Sequence, residues 1–269
     1  MGPIIRKIRF QIKIWTSALR EDPSFMVIGT QKGGTTSLWN YLCQNPRVGR
    51  ALKKEINYYN EHYAKKEKWY KAHFPLKGKA ENLLYFDDTP EYMTHPSVPQ
   101  RIHKSYPDMK FIVLLRNPVD RAYSHYQHRC RRQNENRTFE AALSELYANI
   151  DASTEMQDVF DNRYVYSMYY NYLARGHYAE QLTRWFQYFP REQFLIIQSE
   201  DFYAHTQEKM KEICDFVGIT HWENTTYEIR NSGRVFLEID PHTRQQLVAY
   251  FKPHNEKLYQ LLGTNYGWE

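Results

Sequence analysis

Short continuous apolar runs alternate along the chain with segments in which apolar residues recur every three or four positions. Such runs are typical of strands that are buried on both faces of a parallel sheet. Four of them predict strands: FMVIGT (25–30), NLLYFDDTP (82–90), MKFIVLLRNP (109–118) and QFLIIQSEDF (193–202). The third is the clearest, because it stays apolar from Phe111 to Leu115 and then stops at a polar Arg116-Asn117 pair followed by Pro118.

The periodic segments predict helices between and after these strands. They cover residues 35–44, 97–106, 119–132, 139–186 with breaks near Asp151 and Gly176, 206–217 and 241–262. Residues 222–238 show no clear pattern. Strands that alternate with helices predict an α/β fold with a central parallel β-sheet flanked by helices. Ligands of such sheets bind at the carboxyl ends of the strands.

The composition is that of an ordinary globular protein, with 42% hydrophobic and 25% charged residues in 269. A formal charge of +5 suits an anionic ligand but is too small to indicate nucleic acid. Cys43, Cys130 and Cys214 are too far apart for a metal-ligand spacing and are odd in number. We therefore expect a reducing, cytoplasmic environment and no metal. The oligomeric state is not indicated by the sequence.

The first twenty residues, MGPIIRKIRFQIKIWTSALR, are basic and partly apolar. Arg6, Lys7, Arg9 and Lys13 interrupt every apolar run, so the segment is not expected to span a membrane. It also lacks the apolar core and cleavage site of a signal peptide. We expect residues 1–24 to pack on a single domain formed by residues 25–269. A basic amphipathic segment lying on a membrane is the alternative.

The stretch GTQKGGTTSL after the first strand is close to the phosphate-binding pattern G-x-x-x-x-G-K-[ST]. Gly29 and Gly34 occupy the two glycine positions, but Thr35 and Thr36 stand where the lysine and the hydroxyl residue belong. The nearby lysine is Lys32, inside the loop. A strand, a loop and a helix N-terminus still form an anion cradle, so the predicted fold is a P-loop-like three-layer sandwich. The loop is suited to a single 5′-phosphate.

A second anion-binding motif is FIVLLRNPVDRAYSHYQH (111–128). Arg116 at the end of a strand offers several donors to a phosphate, and Ser124 on the following helix can add a hydroxyl. The alternative is that Arg116 forms an ion pair with Asp120 or another carboxylate.

With these two motifs the sequence resembles the PAPS-dependent sulfotransferases, in particular the heparan-sulfate/carbohydrate branch and its bacterial-type soluble members. PAPS is 3′-phosphoadenosine 5′-phosphosulfate. The loop resembles the family's 5′-phosphosulfate site, the second motif its 3′-phosphate site, ARGHYAEQLTRW (174–185) a segment beside the nucleotide, and NSGRVF (231–236) a closing loop. The resemblance implies these donor-binding residues: Lys32, Gly33, Gly34, Thr35, Thr36, Ser37, Arg116, Ser124, Tyr178, Ser232, Gly233 and Arg234.

The resemblance also implies the catalytic groups. Lys32 would stabilise charge on the leaving group, and LKKEINYYNEHY (52–63) would place Glu55 as the general base. Lys54, Tyr58, Asp88 and Glu91 are implied as substrate-binding residues. Many carbohydrate sulfotransferases have a lysine at the position of Asp88, so the aspartate favours a neutral or cationic acceptor. The backup candidates for the base are His62, His125 and His128.

The leading hypothesis is therefore a sulfotransferase that moves a sulfuryl group from PAPS to a hydroxyl or amine of a small-molecule or carbohydrate acceptor, leaving 3′-phosphoadenosine 5′-phosphate (PAP). It would be a cytoplasmic tailoring enzyme. A nucleotide kinase with a degenerate P-loop and a non-catalytic nucleotide-binding module are the alternatives. The displaced lysine and the lack of a clear magnesium ligand count against the kinase.

Overall fold

Five parallel β-strands form one sheet in the order β2-β3-β1-β4-β5. The strands are β1 (Phe25–Gly29), β2 (Val48–Gly49), β3 (Leu84–Asp88), β4 (Lys110–Leu115) and β5 (Phe194–Gln198). The central strand β1 and its neighbour β4 are apolar and almost entirely buried. This burial explains their continuous apolar sequence, because both faces of a central strand are covered in a parallel sheet.

The computed structural model describes residues 2–78, 83–152, 171–220, 227 and 238–268. The chain divides into two compact units, the first made of Met1–Leu115 and Arg184–Ser232, the second of Arg116–Thr183 and Gly233–Glu269. The sheet belongs to the first unit. The division into residues 1–24 and a single domain 25–269 stays a prediction.

The described residues form ten α-helices and several short 3₁₀-helices. The α-helices are α1 (Pro3–Trp15), α2 (Thr35–Leu42), α3 (Lys66–Lys71), α4 (Val98–Ser105), α5 (Pro118–Arg131), α6 (Phe139–Ala152), α7 (Tyr178–Phe186), α8 (Ser199–Ala204), α9 (Thr206–Val217) and α10 (Pro241–Leu262). The 3₁₀-helices are Ser17–Leu19, Tyr63–Lys65, Pro90–Tyr92, Ala174–Gly176 and Arg191–Gln193.

The predicted strands and helices are present, with differences of a few residues at their ends. Four elements are new or corrected. The short strand β2 and the short helix α3 were not predicted, because neither has enough residues to show a period. The strand predicted over 193–202 ends at Gln198, and α8 begins at Ser199. Much of the irregular segment 222–238 and of the helical segment 139–186 lies outside the described residues.

Side chains cover the sheet on both faces within the first unit. On one face, Phe25 and Val27 of β1 join a core cluster with residues of α2, α8 and α9. On the other, Trp185 and Phe189 pack on Phe111 of β4, with ring centroids 5.0 and 4.7 Å apart. The expected parallel sheet flanked by helices is therefore confirmed.

The second unit has its own apolar cluster, built from α5, α6, α10 and the segment before α7. Its buried members are Val119, Ala122, Phe139, Ala142, Leu143, Tyr172, Leu173, Ile239, Leu247 and Phe251. Helix α5 begins at Pro118, and the side chain of Asn117 accepts a hydrogen bond from the Val119 amide at 3.0 Å. Proline at the first helical position and asparagine before it are a standard helix start.

The basic N-terminal segment forms helix α1, which is part of the first unit and packs on α3 and the residues that follow it. The Phe10 ring packs edge-on against His73 at 5.0 Å and Trp69 at 6.2 Å. Arg20 donates hydrogen bonds to the carbonyl oxygens of Lys13 at 2.9 Å and Phe74 at 2.7 Å. A search of the described part of the chain finds no helix with the length and apolar character needed to cross a membrane.

Candidate active site

The loop after β1 adopts a conformation that depends on its two glycines. The Thr30 amide donates to the Leu114 carbonyl at 2.8 Å, and the Gly33 amide donates to the Thr30 carbonyl at 2.9 Å. A Cβ atom on Gly33 would lie 2.5 Å from the Leu114 carbonyl oxygen, so the loop could not stay this close to β4. Gly34 caps α2 with φ of +104°, a conformation that favours glycine.

The loop therefore leads directly into the N-terminus of α2, where unpaired helix amides attract anions. Thr35 is 5% exposed and Thr36 is half-buried. Ser37 is fully buried and accepts a hydrogen bond from the Tyr203 hydroxyl at 3.3 Å. Ser199 at the start of α8 donates to the Gly33 carbonyl at 2.6 Å, which ties the loop to the end of β5.

Lys54 stands at the centre of a polar cluster beside this loop. Its Nζ donates to Thr36 Oγ1 at 3.1 Å and lies 3.3 Å from both Asp88 Oδ2 and Glu55 Oε1. The ammonium group thus links the first turn of α2 to two carboxylates. Residues from three separate segments of the sequence meet at the carboxyl end of the sheet, the position where ligands of parallel sheets bind.

Asp88 is the buried carboxylate of this cluster, with 1% of its side chain exposed. Burial raises the pKa of Asp88 to about 8, and the negative charge of Glu55 adds to that effect while Lys54 opposes it. Neither carboxylate oxygen has a hydrogen-bond partner within the described ranges, and its contact with Lys54 Nζ at 3.3 Å is an ion pair. Desolvation therefore outweighs the nearby ammonium group, and Asp88 is easily protonated.

A second buried carboxyl, Asp87, organises the backbone next to Asp88. It accepts hydrogen bonds from the Thr89 hydroxyl at 2.7 Å and the Tyr92 hydroxyl at 2.9 Å. Burial raises the pKa of Asp87 to about 6 despite these two donors. The Tyr92 hydroxyl in turn accepts from the amide of Tyr58 at 3.1 Å. This network joins β3 to the segment that carries Lys54 and Glu55.

Glu55 is held by its backbone, and its carboxylate faces solvent. Its amide donates to the Asp88 carbonyl at 2.9 Å, and its φ is +58°. The Glu55 side chain is 49% exposed. A left-handed backbone at a non-glycine residue is uncommon and often marks a functional turn. The carboxylate that the sequence places as the base is thus rigidly mounted and accessible.

The remaining candidates of the first unit have different surroundings. Lys32 is half-buried with φ of +72° in the loop. Glu91 accepts a hydrogen bond from the Gln31 amide group at 2.8 Å. Tyr58 is only 3% exposed and stacks on Tyr70 with centroids 5.0 Å apart. This burial favours a role for Tyr58 in supporting the loop, whereas we had expected it to contact the substrate.

The second unit contains the residues of the other anion-binding motif. Arg116 follows β4 directly and is half-buried, and Ser124 on α5 is 5% exposed. The Tyr178 hydroxyl donates to the Arg116 carbonyl at 2.8 Å, so Tyr178 fixes the backbone at Arg116. Asp120, the acidic partner considered for Arg116, forms an ion pair with Arg244. Ser232, Gly233 and Arg234 lie outside the described residues.

Sequence reasoning missed the Asp87, Thr89 and Tyr92 network. The signal was present in the polar end of DDTPEY, where two acids follow a buried strand. The pattern does not show which of the two acids is bonded to hydroxyls and which faces Lys54.

The comparisons with known proteins agree with this geometry. The family model described as "Sulfotransferase domain" matches residues 22–233, more than half of the chain, so the chain belongs to the sulfotransferase family. A sulfotransferase from Alicyclobacillus acidocaldarius has a similar structure, with a TM-score of 0.73 and 28% identity over 90% of this chain and 96% of that one. The expected sulfotransferase enzyme is confirmed, and the kinase alternative is not favoured.

Curated relatives extend the same picture. The "Membrane-associated sulfotransferase kil1" of Dictyostelium discoideum is 28% identical over 92% of this chain and 66% of its own length. The mouse "Heparan sulfate glucosamine 3-O-sulfotransferase 6" is 27% identical over 93% of this chain and 75% of its own. The bovine "Bifunctional heparan sulfate N-deacetylase/N-sulfotransferase 2" is 29% identical over 93% of this chain and 30% of its own length. The chain thus spans about two thirds of the length of the Dictyostelium relative and less than a third of the length of the bovine relative.

The buried Asp88 predicts a pH dependence of stability. Its pKa is about 8 in the folded protein against an ordinary value of 3.8, so the folded state keeps a proton that the unfolded state loses. Stability from this group is complete below pH 4 and declines as the pH rises toward 8, by up to about 1.4 kcal/mol per pH unit. In chemical denaturation measured from pH 4 to 8, Asp88→Asn should remove the decline between pH 6 and 8 and leave the part below pH 6 that comes from the raised pKa of Asp87.

The matched control is Asp215→Asn, which removes an exposed aspartate paired with Lys211 on α9. That variant should keep the wild-type decline. Equal slopes for Asp88→Asn and the wild type would show that Asp88 titrates normally in the folded protein.

Proposed function

We propose that the protein transfers a sulfuryl group from PAPS to a hydroxyl or amine of a small-molecule or carbohydrate acceptor, releasing PAP and the sulfated product. The observation that carries this proposal is the cluster of Lys54, Glu55 and Asp88 around Thr36. It brings a cation and an accessible carboxylate to the first turn of the helix that follows the anion-binding loop.

The residues of the loop fit the 5′ end of such a donor. Gly33 and Gly34 leave no room for a Cβ atom beside Leu114 and Tyr203, so they permit the tight turn that leads into the N-terminus of α2. The amides of that first helical turn can donate to a phosphate group. Lys32 and the hydroxyls of Thr35 and Thr36 supply a charge and further donors. For the 3′-phosphate, the proposal assigns Arg116 and Ser124, following the family resemblance.

Sulfuryl transfer makes a bond from the acceptor atom to sulfur and breaks the bond from sulfur to the oxygen of the 5′-phosphate. The donor supplies the activated sulfuryl group. Glu55 takes the proton that the acceptor loses, because it is the exposed carboxylate of the cluster. Lys32 stabilises the negative charge that develops on the bridging oxygen, a role in which a fixed cation is effective.

Lys54 and Asp88 act as a pair in this proposal. Asp88 is too buried to reach an acceptor, so its part is to hold the Lys54 ammonium group beside Thr36 and Glu55. The sequence had suggested that Asp88 contacts the acceptor, and its burial favours this indirect role. Glu91 and Lys54 remain the proposed acceptor-binding groups of the described residues.

Two points on the acceptor and location stay proposals. The mouse and bovine relatives are named for heparan sulfate, which supports a carbohydrate acceptor here. All three cysteines are free, which supports a reducing, cytoplasmic location.

The donor can be tested by thermal shift with PAP, AMP and ATP plus magnesium. A ligand that binds the folded state stabilises it by about 2.7 kcal/mol at a hundred times its dissociation constant. PAP should raise the melting temperature far more than AMP, and Arg116→Ala should abolish that preference. The matched control is Arg131→Ala, at an exposed position at the end of α5. A larger shift with ATP and magnesium than with PAP would contradict the proposed donor.

Glu55→Gln tests the base. The amide keeps the size of the side chain but cannot accept the proton, so kcat should fall by about 10²–10⁴. The PAP-induced thermal shift should persist, because the loop and Arg116 are untouched. Glu61→Gln, an exposed change in the same segment, should leave kcat near the wild-type value. A normal kcat for Glu55→Gln, measured by PAP release, would exclude Glu55 as the base.

Lys32→Ala tests the leaving-group cation. Removing a charge that acts on the developing negative charge should lower kcat by about 10²–10³. Lys211→Ala, at an exposed lysine on α9, is the control for loss of a positive charge. Turnover of Lys32→Ala similar to that of the control would show that another group stabilises the leaving oxygen.

A further inference from the structure

Helix α1 has an apolar face that no part of the described chain covers. Five large side chains make up this face, and each is exposed: Ile4 by 71%, Ile5 by 50%, Ile8 by 56%, Ile12 by 48% and Trp15 by 76%. At about 100° per residue they fall within an arc of about 100° on the helix. We call this surface the isoleucine face. Exposed apolar side chains that are contiguous in this way mark an interaction surface.

The helix is attached to the first unit by its other side. Phe10 lies opposite the isoleucine face. It packs on Trp69 of α3 and on His73, which follows that helix. At the end of the helix, Arg20 bonds to the carbonyl of Lys13 and to the Thr16 hydroxyl, each at 2.9 Å. The contacts fix the orientation of α1, so the isoleucine face points away from the residues it packs on.

Two of the four basic residues of α1 border this face. The helix carries Arg6, Lys7, Arg9 and Lys13 and has no acidic residue. At 100° per residue, Arg9 lies about 40° beyond one edge of the isoleucine face and Lys7 about 60° beyond the other. An apolar stripe bordered by basic residues is typical of a helix that lies in the interface of a membrane.

We propose that α1 docks the protein on a bilayer surface that contains anionic lipids. The isoleucine face enters the boundary between headgroups and acyl chains, Trp15 lies at that boundary, and Lys7 and Arg9 at the borders of the face contact the lipid phosphates. The helix has 13 residues, so it lies along the surface and does not cross the bilayer.

A second copy of the chain is a less suitable partner for this face. Two copies joined through their isoleucine faces would bring Lys7 and Arg9 of one close to those of the other. The helix has no acidic residue to offset that repulsion. An anionic lipid surface complements both the apolar stripe and its basic border. The proposal concerns binding only, so it does not depend on the identity of the donor or acceptor.

The test is co-sedimentation of the full chain with phosphatidylcholine vesicles, with and without phosphatidylserine. At an ionic strength of ~0.15 M we expect binding to the anionic vesicles that is at least tenfold tighter than to the neutral ones. Ile8→Glu combined with Ile12→Glu should weaken binding to anionic vesicles at least tenfold. Lys7→Gln combined with Arg9→Gln should weaken it and reduce its salt dependence. Both pairs are exposed, so the melting temperature should not change.

The matched control adds the same two charges elsewhere, by combining Gln207→Glu with Gln245→Glu at exposed positions of α9 and α10. It should bind vesicles as the wild type does. The proposal is wrong if the wild type does not bind anionic vesicles, or if the control loses binding as much as the Ile8 and Ile12 variant. It is also wrong if sedimentation equilibrium shows a dimer that this variant dissociates while vesicles are not bound.

Discussion

The candidate site depends on a carboxyl group that is buried at the end of a strand. Asp88 has no hydrogen-bond donor within the described residues, so it can be kept there only as the protonated acid or as the partner of a nearby cation. Lys54 provides that cation and in doing so reaches Thr36 on α2. As acid or as carboxylate, Asp88 lies 3.3 Å from Lys54 Nζ, and this contact fixes the position of the lysine beside the anion-binding loop.

The neighbouring Asp87 is also a buried carboxyl group, but it is stabilised by hydrogen bonds. It is satisfied by two hydroxyl groups, and one of them, from Tyr92, also receives the Tyr58 amide. Consecutive residues of a strand point to opposite faces, so the two acids face different surroundings. One acid therefore stabilises the segment that holds Glu55, and the other positions a functional cation. The division explains why two adjacent acids occur at one strand end.

The sequence was sufficient for the fold and for the loop, because both depend on local patterns. Continuous apolar runs identify buried strands, and Gly33 and Gly34 identify a turn that side chains would obstruct. Burial of Tyr58 and Asp88 could not be predicted, since it is set by packing between segments that lie far apart in the chain. The ion pair of Asp120 with Arg244 joins α5 to α10 and leaves no trace in the local sequence either.

Helix α1 of the N-terminal segment has two different faces, one that packs on the protein and one that is exposed. Phe10 and Arg20 attach α1 to the first unit, which accounts for its packing on the domain. The same helix presents its isoleucine face to the outside, and packing of Phe10 does not explain that face. Five large apolar side chains on an exposed arc would promote aggregation if nothing covered them. The basic residues at its borders fit a covering surface that is itself negatively charged, so one short helix combines attachment to the protein with a surface suited to anionic lipid.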